Sequence, residues 1–195
     1  LLGWMGASDD QINRIAFECL KTEGGHTAER VIAIPQFVPR KLPDNSKKIT
    51  EELVMADERV HPVVQYLDSR MLSIYDHDFY WSDEGGFIDR MIIPLTVNKQ
   101  IMGYIARKIT DGNPKYITEH PAHIVFNLDK QTHDKEFVIV CEGPFDAMSI
   151  DGVAVLNNEC NETQADIIES LGREVIVVAD KDRAGAKMIK NAIEY

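Results

Sequence analysis

The chain has 195 residues, of which 44% are hydrophobic and 27% charged, and its formal net charge is −11. That length suits one large domain or two small ones, and the composition is that of a globular protein. No run of about 18 apolar residues occurs, which argues against a membrane-spanning helix, and Cys19, Cys141 and Cys160 are too few and too widely spaced for a zinc ribbon or a disulfide framework.

An odd number of unpaired cysteines fits a reducing cytoplasm. Residue 1 is Leu and no signal peptide is visible, so the chain reads as a piece of a longer protein. Ser8-Asp-Asp-Gln11 has the form of a capping box. Ile12, Ile15, Ala16, Cys19 and Leu20 follow at helical spacing, and Gly24-Gly25 ends that helix. Residues 31–48, with three prolines and the pairs Arg40-Lys41 and Lys47-Lys48, read as an irregular connector. Thr50 begins a short helix. His61-Pro62 begins another, running to about Arg70, because proline is favoured in the first helical turn. Ser73 is expected to cap a further short helix through Asp78.

Phe87–Val97 and Gln100–Ile109 read as two strands joined by Asn98-Lys99 at hairpin spacing. Pro94 marks an edge or a bulge. On the second strand, alternation puts Ile101, Gly103, Ile105 and Arg107 on one face. Asn113-Pro-Lys115-Tyr116 forms a loop into a short extended piece, and residues 119–135 are polar and loop-like around Ile124–Phe126. The last sixty residues alternate. Strands are expected near 137–141, 153–156 and 174–179, and helices near 144–150, 161–171 and 183–193. Apolar strands with short connections imply a small parallel sheet covered by helices.

Two strand ends carry acids. Val138-Ile-Val-Cys141 stops at Glu142-Gly143, and Asp146 lies in the first turn of the next helix. Val175-Ile-Val-Val-Ala179 stops at Asp180-Lys-Asp182, with Gly185 three residues on. If the two strands are parallel neighbours, the carboxylates meet at the carboxyl edge of the sheet, where open α/β folds bind ligands. Oxygen-only donors suit Mg²⁺ or Mn²⁺. Taken singly, each acid has a plainer explanation: Asp146 favours a helix dipole, Asp180 and Asp182 can cap, and Glu142 can be solvated. Gly143 would permit the sharp strand-to-helix turn, and Gly185 a close backbone approach. Charge is also segregated. Residues 87–118 carry a balance of +3, and residues 136–195 one of −7.

Glu142-Gly-x-x-Asp146 followed by Asp180-x-Asp182-x-x-Gly185 resembles the TOPRIM signature of primases, topoisomerases and related nucleases. Arg90-Met-Ile-Ile-Pro-Leu, Gly103-Tyr-Ile-Ala-Arg107 and Pro114-Lys115-Tyr116 resemble, in order and spacing, three motifs of the bacterial-type DNA primase catalytic core. The helix ending Tyr66-Leu-Asp-Ser-Arg70 resembles that family's YL-x-x-RG stretch, with Met71 in place of the glycine. The resemblance covers about residues 61–195, and the short loops fit a phage version. The family's K-G-R-x-x-Y-G-L stretch is replaced here by Asn127-Leu-Asp-Lys-Gln131, and the sequence stops before the family's last TOPRIM strand and acidic pair.

The resemblance implies an α/β fold, a TOPRIM parallel sheet with flanking helices preceded by a mixed α+β subdomain. It divides the chain into a helical and linker segment (1–60), an α+β subdomain carrying a basic track (61–135) and a TOPRIM domain (136–195). It makes Glu142, Asp180 and Asp182 the catalytic acids, which bind Mg²⁺ or Mn²⁺ with Asp146. Arg90, Arg107, Lys108 and Lys115 would hold template and nucleotide phosphates. It implies RNA primer synthesis on a single-stranded DNA template from ribonucleoside triphosphates, a replicative helicase as partner, and residence in a bacterial or phage-infected cytoplasm. Three rival readings stand beside it, one of them a phosphoacceptor-type α/β domain with an acidic pocket, for which a suitable Lys and Thr pattern is lacking. A TOPRIM nuclease or topoisomerase accounts for the acids but not for the basic motifs. A non-catalytic module that binds nucleic acid or protein accounts for the departures.

Overall fold

A computed structural model describes residues 35–132, 134–156, 160–181, 185, 186 and 189. The amphipathic helix expected over residues 8–20 lies outside them. Two sheets organise the rest. The first is antiparallel, in spatial order β1 (Lys47–Lys48), β2 (Tyr80–Trp81), β3 (Arg90–Val97), β4 (Gln100–Lys108), β5 (Tyr116–Glu119). The second is parallel, with β6 (Phe137–Cys141) between β7 (Val153–Ala154) and β8 (Glu174–Val177). Helices α1 (Glu51–Ala56) and α2 (His61–Ser69) lie between β1 and β2 in the chain, and α3 (Pro144–Ser149) and α4 (Glu162–Glu169) belong to the second sheet.

Local chemistry accounts for most boundaries. The Thr50 hydroxyl accepts the Leu53 amide at 3.3 Å and caps α1. Asn161 and Gln164 form a reciprocal capping box at the start of α4. Pro62 sits in the first turn of α2. That helix ends where Met71 turns left-handed, at φ 56°. The Leu72 amide then reaches back to the Leu67 carbonyl at 3.0 Å, and the Met71 amide to the Asp68 carbonyl at 2.9 Å, a Schellman closure. Glycine usually takes that left-handed position. Here it is a methionine, 95% exposed.

The β3–β4 hairpin turns on Asn98 and Lys99, both with positive φ, as a two-residue turn requires. Both amides donate to the Asp129 carboxylate, at 2.7 and 2.9 Å. The register slips between Leu95 and Thr96, one residue beyond Pro94. The extra residue is Met102, which turns into the core, so Ile101 falls out of the expected alternation. The helix expected over Ser73–Asp78 does not form. Ser73 Oγ accepts the Tyr75 amide at 3.1 Å, and the segment closes as a turn.

Alternation along β6 links three layers. Val138 and Val140 face α4, packing with Val125, Val153, Val155, Ile167 and Ile168. Ile139 and Cys141 point the other way, into a cluster with Ala147, Met148 and Ala154 that also holds Met91, Ile93, Leu95 and Ile105 from the antiparallel sheet. Ile49 and Val60 complete that cluster. One apolar core therefore runs across the divisions expected at 60/61 and 135/136, and the described residues from 35 onward belong to one compact unit. The helix expected over 183–193 lies mostly outside the described residues, but Gly185, Ala186 and Ile189 are helical.

Candidate functional site

The parallel pairing of β6 with β8 sets the acidic edge. Val140 stands level with Val177, and the Val178 amide continues the ladder to the Val140 carbonyl at 2.9 Å. Glu142 follows β6 directly, and Asp180 lies three residues past β8. The Asp180 amide donates to Glu142 Oε1 at 3.2 Å. Asp146 sits in the first turn of α3, where the helix dipole favours a carboxylate. The buried Cys141 thiol reports on both neighbours. Burial, and then the charges of Asp146 and Asp180, push its pKa up to about 11. Glu142, Asp146 and Asp180 thus share one sheet edge. Asp182 lies outside the described residues.

Gly143 has φ −108° and ψ 156°, extended backbone that any residue adopts. The turn into α3 does not call for glycine, contrary to the sequence expectation. What glycine avoids is contact with the Asp146 carboxylate, since a Cβ would stand 3.2 Å from its Oδ2. At Gly185 a Cβ would overlap the Asp180 carbonyl, so the close approach expected there is present.

Among the described residues, no group of three or more His, Cys, Asp or Glu side chains is placed to hold a metal ion. The donor set still suits a hard cation. Mg²⁺ characteristically takes one or two carboxylates and completes its shell with water and substrate phosphates. Such a shell would need no more than two of Glu142, Asp146 and Asp180.

The four basic residues gather at one end of the antiparallel sheet but do not form one surface. Arg90 opens β3, Arg107 and Lys108 close β4, and Lys115 precedes β5. Arg90 is only 5% exposed. Its Nε donates to the Gly86 carbonyl at 3.1 Å, Nη1 to Ala106 at 3.3 Å and Nη2 to Pro114 at 2.8 Å. Its guanidinium ties two loops to the sheet, so it does not line the exposed basic track expected from the sequence. Lys108 pairs with Arg90 in register and shares its face.

Arg107 lies on the other face, in register with Met91 on one side and Tyr116 on the other. This is the face that carries Ile93 and Ile105 into the shared core. The Arg107 guanidinium stands 4.7 Å from the centre of the Tyr116 ring, and Lys115 Nζ stands 5.9 Å from it. Arg107 Nε is buried and, among the described residues, has no hydrogen-bond partner.

Two contributors were not singled out from the sequence. Arg70, at the end of α2, places its guanidinium 5.5 Å from the Phe145 ring and 5.4 Å from the Tyr66 ring. Phe145 lies between Glu142 and Asp146 in the sequence, and Arg70 stands against its ring. The Tyr66 and Phe145 rings meet edge to face at 6.2 Å. The signal was present, since Arg70 belongs to the Tyr66-Leu-x-x-Arg stretch. Tyr116 is the second, an exposed aromatic between two cations.

Comparison with known proteins bears on the fold and its relatives. Residues 139–195 match a family model described as Toprim-like. A DNA primase from Aquifex aeolicus (strain VF5) is 25% identical over 198 residues, covering 93% of this chain and 37% of that protein. A solved DnaG catalytic core superposes with a TM-score of 0.57 at 16% identity, over 72% of this chain and 61% of that one. A DnaG primase catalytic domain bound to single-stranded DNA gives 0.56 at 17% identity, over 72% and 62%. The chain spans about 37% of the length of the curated relative it matches. It is therefore related to the bacterial-type DNA primases, with the fold of their catalytic core and a Toprim-like segment over residues 139–195.

Proposed function

We propose that the chain is part of a DNA primase catalytic core that makes short RNA primers on single-stranded DNA by metal-dependent nucleotidyl transfer. The observation that carries this reading is the hydrogen bond from the Asp180 amide to Glu142 Oε1. It joins the two motif-bearing strand ends at one sheet edge. The acidic centre in this reading consists of Glu142, Asp146 and Asp180, with Asp182 assigned to it from the sequence alone. When bound there, Mg²⁺ or Mn²⁺ supplies Lewis acidity for a ribose 3′-hydroxyl and neutralises charge on the leaving pyrophosphate.

The chain's own residues do the rest. Arg70, held against Phe145, faces nucleotide phosphates at the acidic turn. Arg107 and Lys115 hold the phosphates of the template strand. The net charge of −11 does not oppose this, because bound cations invert the potential at the acidic edge. The template is single-stranded DNA, the substrates are ribonucleoside triphosphates, and a replicative helicase supplies the open strand in a bacterial or phage-infected cytoplasm.

The test is to incubate the full-length parent with single-stranded DNA, Mg²⁺ and the four ribonucleoside triphosphates, and to resolve products on a denaturing gel. Short RNA that disappears with Asp182→Asn supports the reading. DNA binding without RNA synthesis would favour a non-catalytic module, and cleavage of the DNA a TOPRIM nuclease.

A further inference from the structure

We infer that Tyr116 is a positioning residue. Its ring holds the Arg107 guanidinium and the Lys115 ammonium so that both present donors to the same stretch of nucleic-acid backbone. The inference rests on the proposed binding of single-stranded DNA at this sheet end. Tyr116 stands directly across from Arg107 in the β4–β5 register, so their side chains emerge on the same face. Arg107 lies 4.7 Å and Lys115 Nζ 5.9 Å from the ring centre. Both distances lie within the reach of a cation–π contact.

Two further observations fit a clamp. Arg107 Nε is buried without a partner among the described residues, so the ring contact, not a hydrogen bond from Nε to the protein, fixes the guanidinium plane. The Nη edge is then available to a phosphate oxygen. The Tyr116 side chain is 40% exposed, and it is the ring face, not the hydroxyl, that meets the two cations. A flexible Lys or Arg on bare strand would give up rotamer entropy on meeting each phosphate, and the clamp reduces that cost before binding. An exposed aromatic beside cations also invites a second assignment, a platform on which a base stacks. The geometry favours the clamp because Arg107 already covers ring surface that a base would need.

The experiment compares the full chain with Tyr116→Phe and Tyr116→Leu. Labelled oligothymidine and an abasic oligomer of the same length are bound across a potassium chloride series. Tyr116→Phe keeps the ring and is expected within about twofold of wild type with the same salt slope. Tyr116→Leu is expected to bind about fivefold or more weakly, with a slope shallower by about 0.7 for each phosphate that the protein no longer neutralises. Wild type should bind both oligomers alike. If wild type discriminates against the abasic oligomer by the same factor by which Tyr116→Leu weakens oligothymidine binding, the ring is a base platform and the inference fails. An unchanged slope in Tyr116→Leu also overturns it.

The Arg107 Nε–H resonance gives a readout independent of DNA. It is expected to be shifted by the ring in wild type and Tyr116→Phe, and to move to an averaged position in Tyr116→Leu. If wild type binds no oligomer, the track assignment falls, and the clamp is decided by this resonance alone. A resonance that Tyr116→Leu leaves in place refutes the clamp.

Discussion

The Asp180 amide and the Glu142 carboxylate are joined across the ends of two parallel strands at 3.2 Å. One carboxylate oxygen thus serves the fold while its carboxyl group serves the acidic edge. Glu142→Gln keeps an acceptor for the amide and removes the charge. It should unfold at nearly the wild-type urea midpoint yet lack the rise in melting temperature that the proposed metal site predicts for wild type in millimolar Mn²⁺. Glu142→Ala should lose both, with about 1 kcal/mol of stability gone with the hydrogen bond. A Glu142→Gln protein stabilised by Mn²⁺ as strongly as wild type would remove Glu142 from the metal site.

Arg90 and Arg107 are expected to part company under mutation. Arg90→Ala removes one hydrogen bond to the buried Ala106 carbonyl and two to the carbonyls of the exposed Gly86 and Pro114, and should cost about 2 kcal/mol, read from denaturant unfolding. Arg107→Ala removes none of these. It should leave the unfolding midpoint nearly unchanged while reducing the salt slope of single-stranded DNA binding by about 0.7, the value for one phosphate. Equal drops of stability in the two variants would contradict the assignment of separate roles.

Met71 holds a left-handed conformation, at φ 56°, with its side chain in solvent. Met71→Gly relieves that penalty without removing packing. Glycine's larger unfolded-state entropy offsets part of the gain, so a net stabilisation of about 0.5–1 kcal/mol is expected. Thermal unfolding with an unaltered or lower melting temperature would show that the Schellman closure carries no strain here.

His77 sets a pH dependence. Burial, and then the neighbouring Lys130 charge, hold its pKa below the ordinary 6.5, against smaller opposing effects from the Met148 backbone, Asp76 and Asp151. Lys130 Nζ stands 3.0 Å from its Nδ1 and also donates to the Asp76 carbonyl. The folded state therefore favours neutral His77, and the unfolded state binds the proton more readily. The stability this contributes is fully present above 6.5 and is lost as pH falls through the lower folded value. The urea midpoint should drop between about pH 7.5 and about pH 5.5, and the drop should be smaller in His77→Gln. Equal drops in the two proteins would place the pH dependence elsewhere.

Much of the fold was legible because its signals are local. The apolar run ending at Cys141, the Asn98-Lys99 turn and the Pro62 helix start each declare themselves within a few residues. So did the meeting of Glu142 and Asp180, once two apolar strands were taken as parallel neighbours. What stayed illegible depends on distant partners. The guanidinium of Arg90 is claimed by carbonyls 4, 16 and 24 residues away, which no spacing rule announces. The Ser73 turn displaced a helix because a hydroxyl satisfied the backbone within two residues. Arg70 was quoted in a motif, but its packing against Phe145 and Tyr66 depends on a distant partner.

The apolar cluster that holds Met91, Ile93 and Ile105 together with Cys141, Ala147 and Met148 has a mechanical consequence. Among the described residues the two sheets share this apolar cluster, and parting them would expose apolar surface at about 25 cal/mol for each Å². A fragment cut at residue 135 would carry a bare greasy face on either half, so neither half is expected to fold alone. The same fusion fixes the distance from the basic end to the acidic edge. A nucleic-acid strand proposed to lie across both is expected to adapt its own backbone to that spacing, because parting the sheets would cost buried apolar surface.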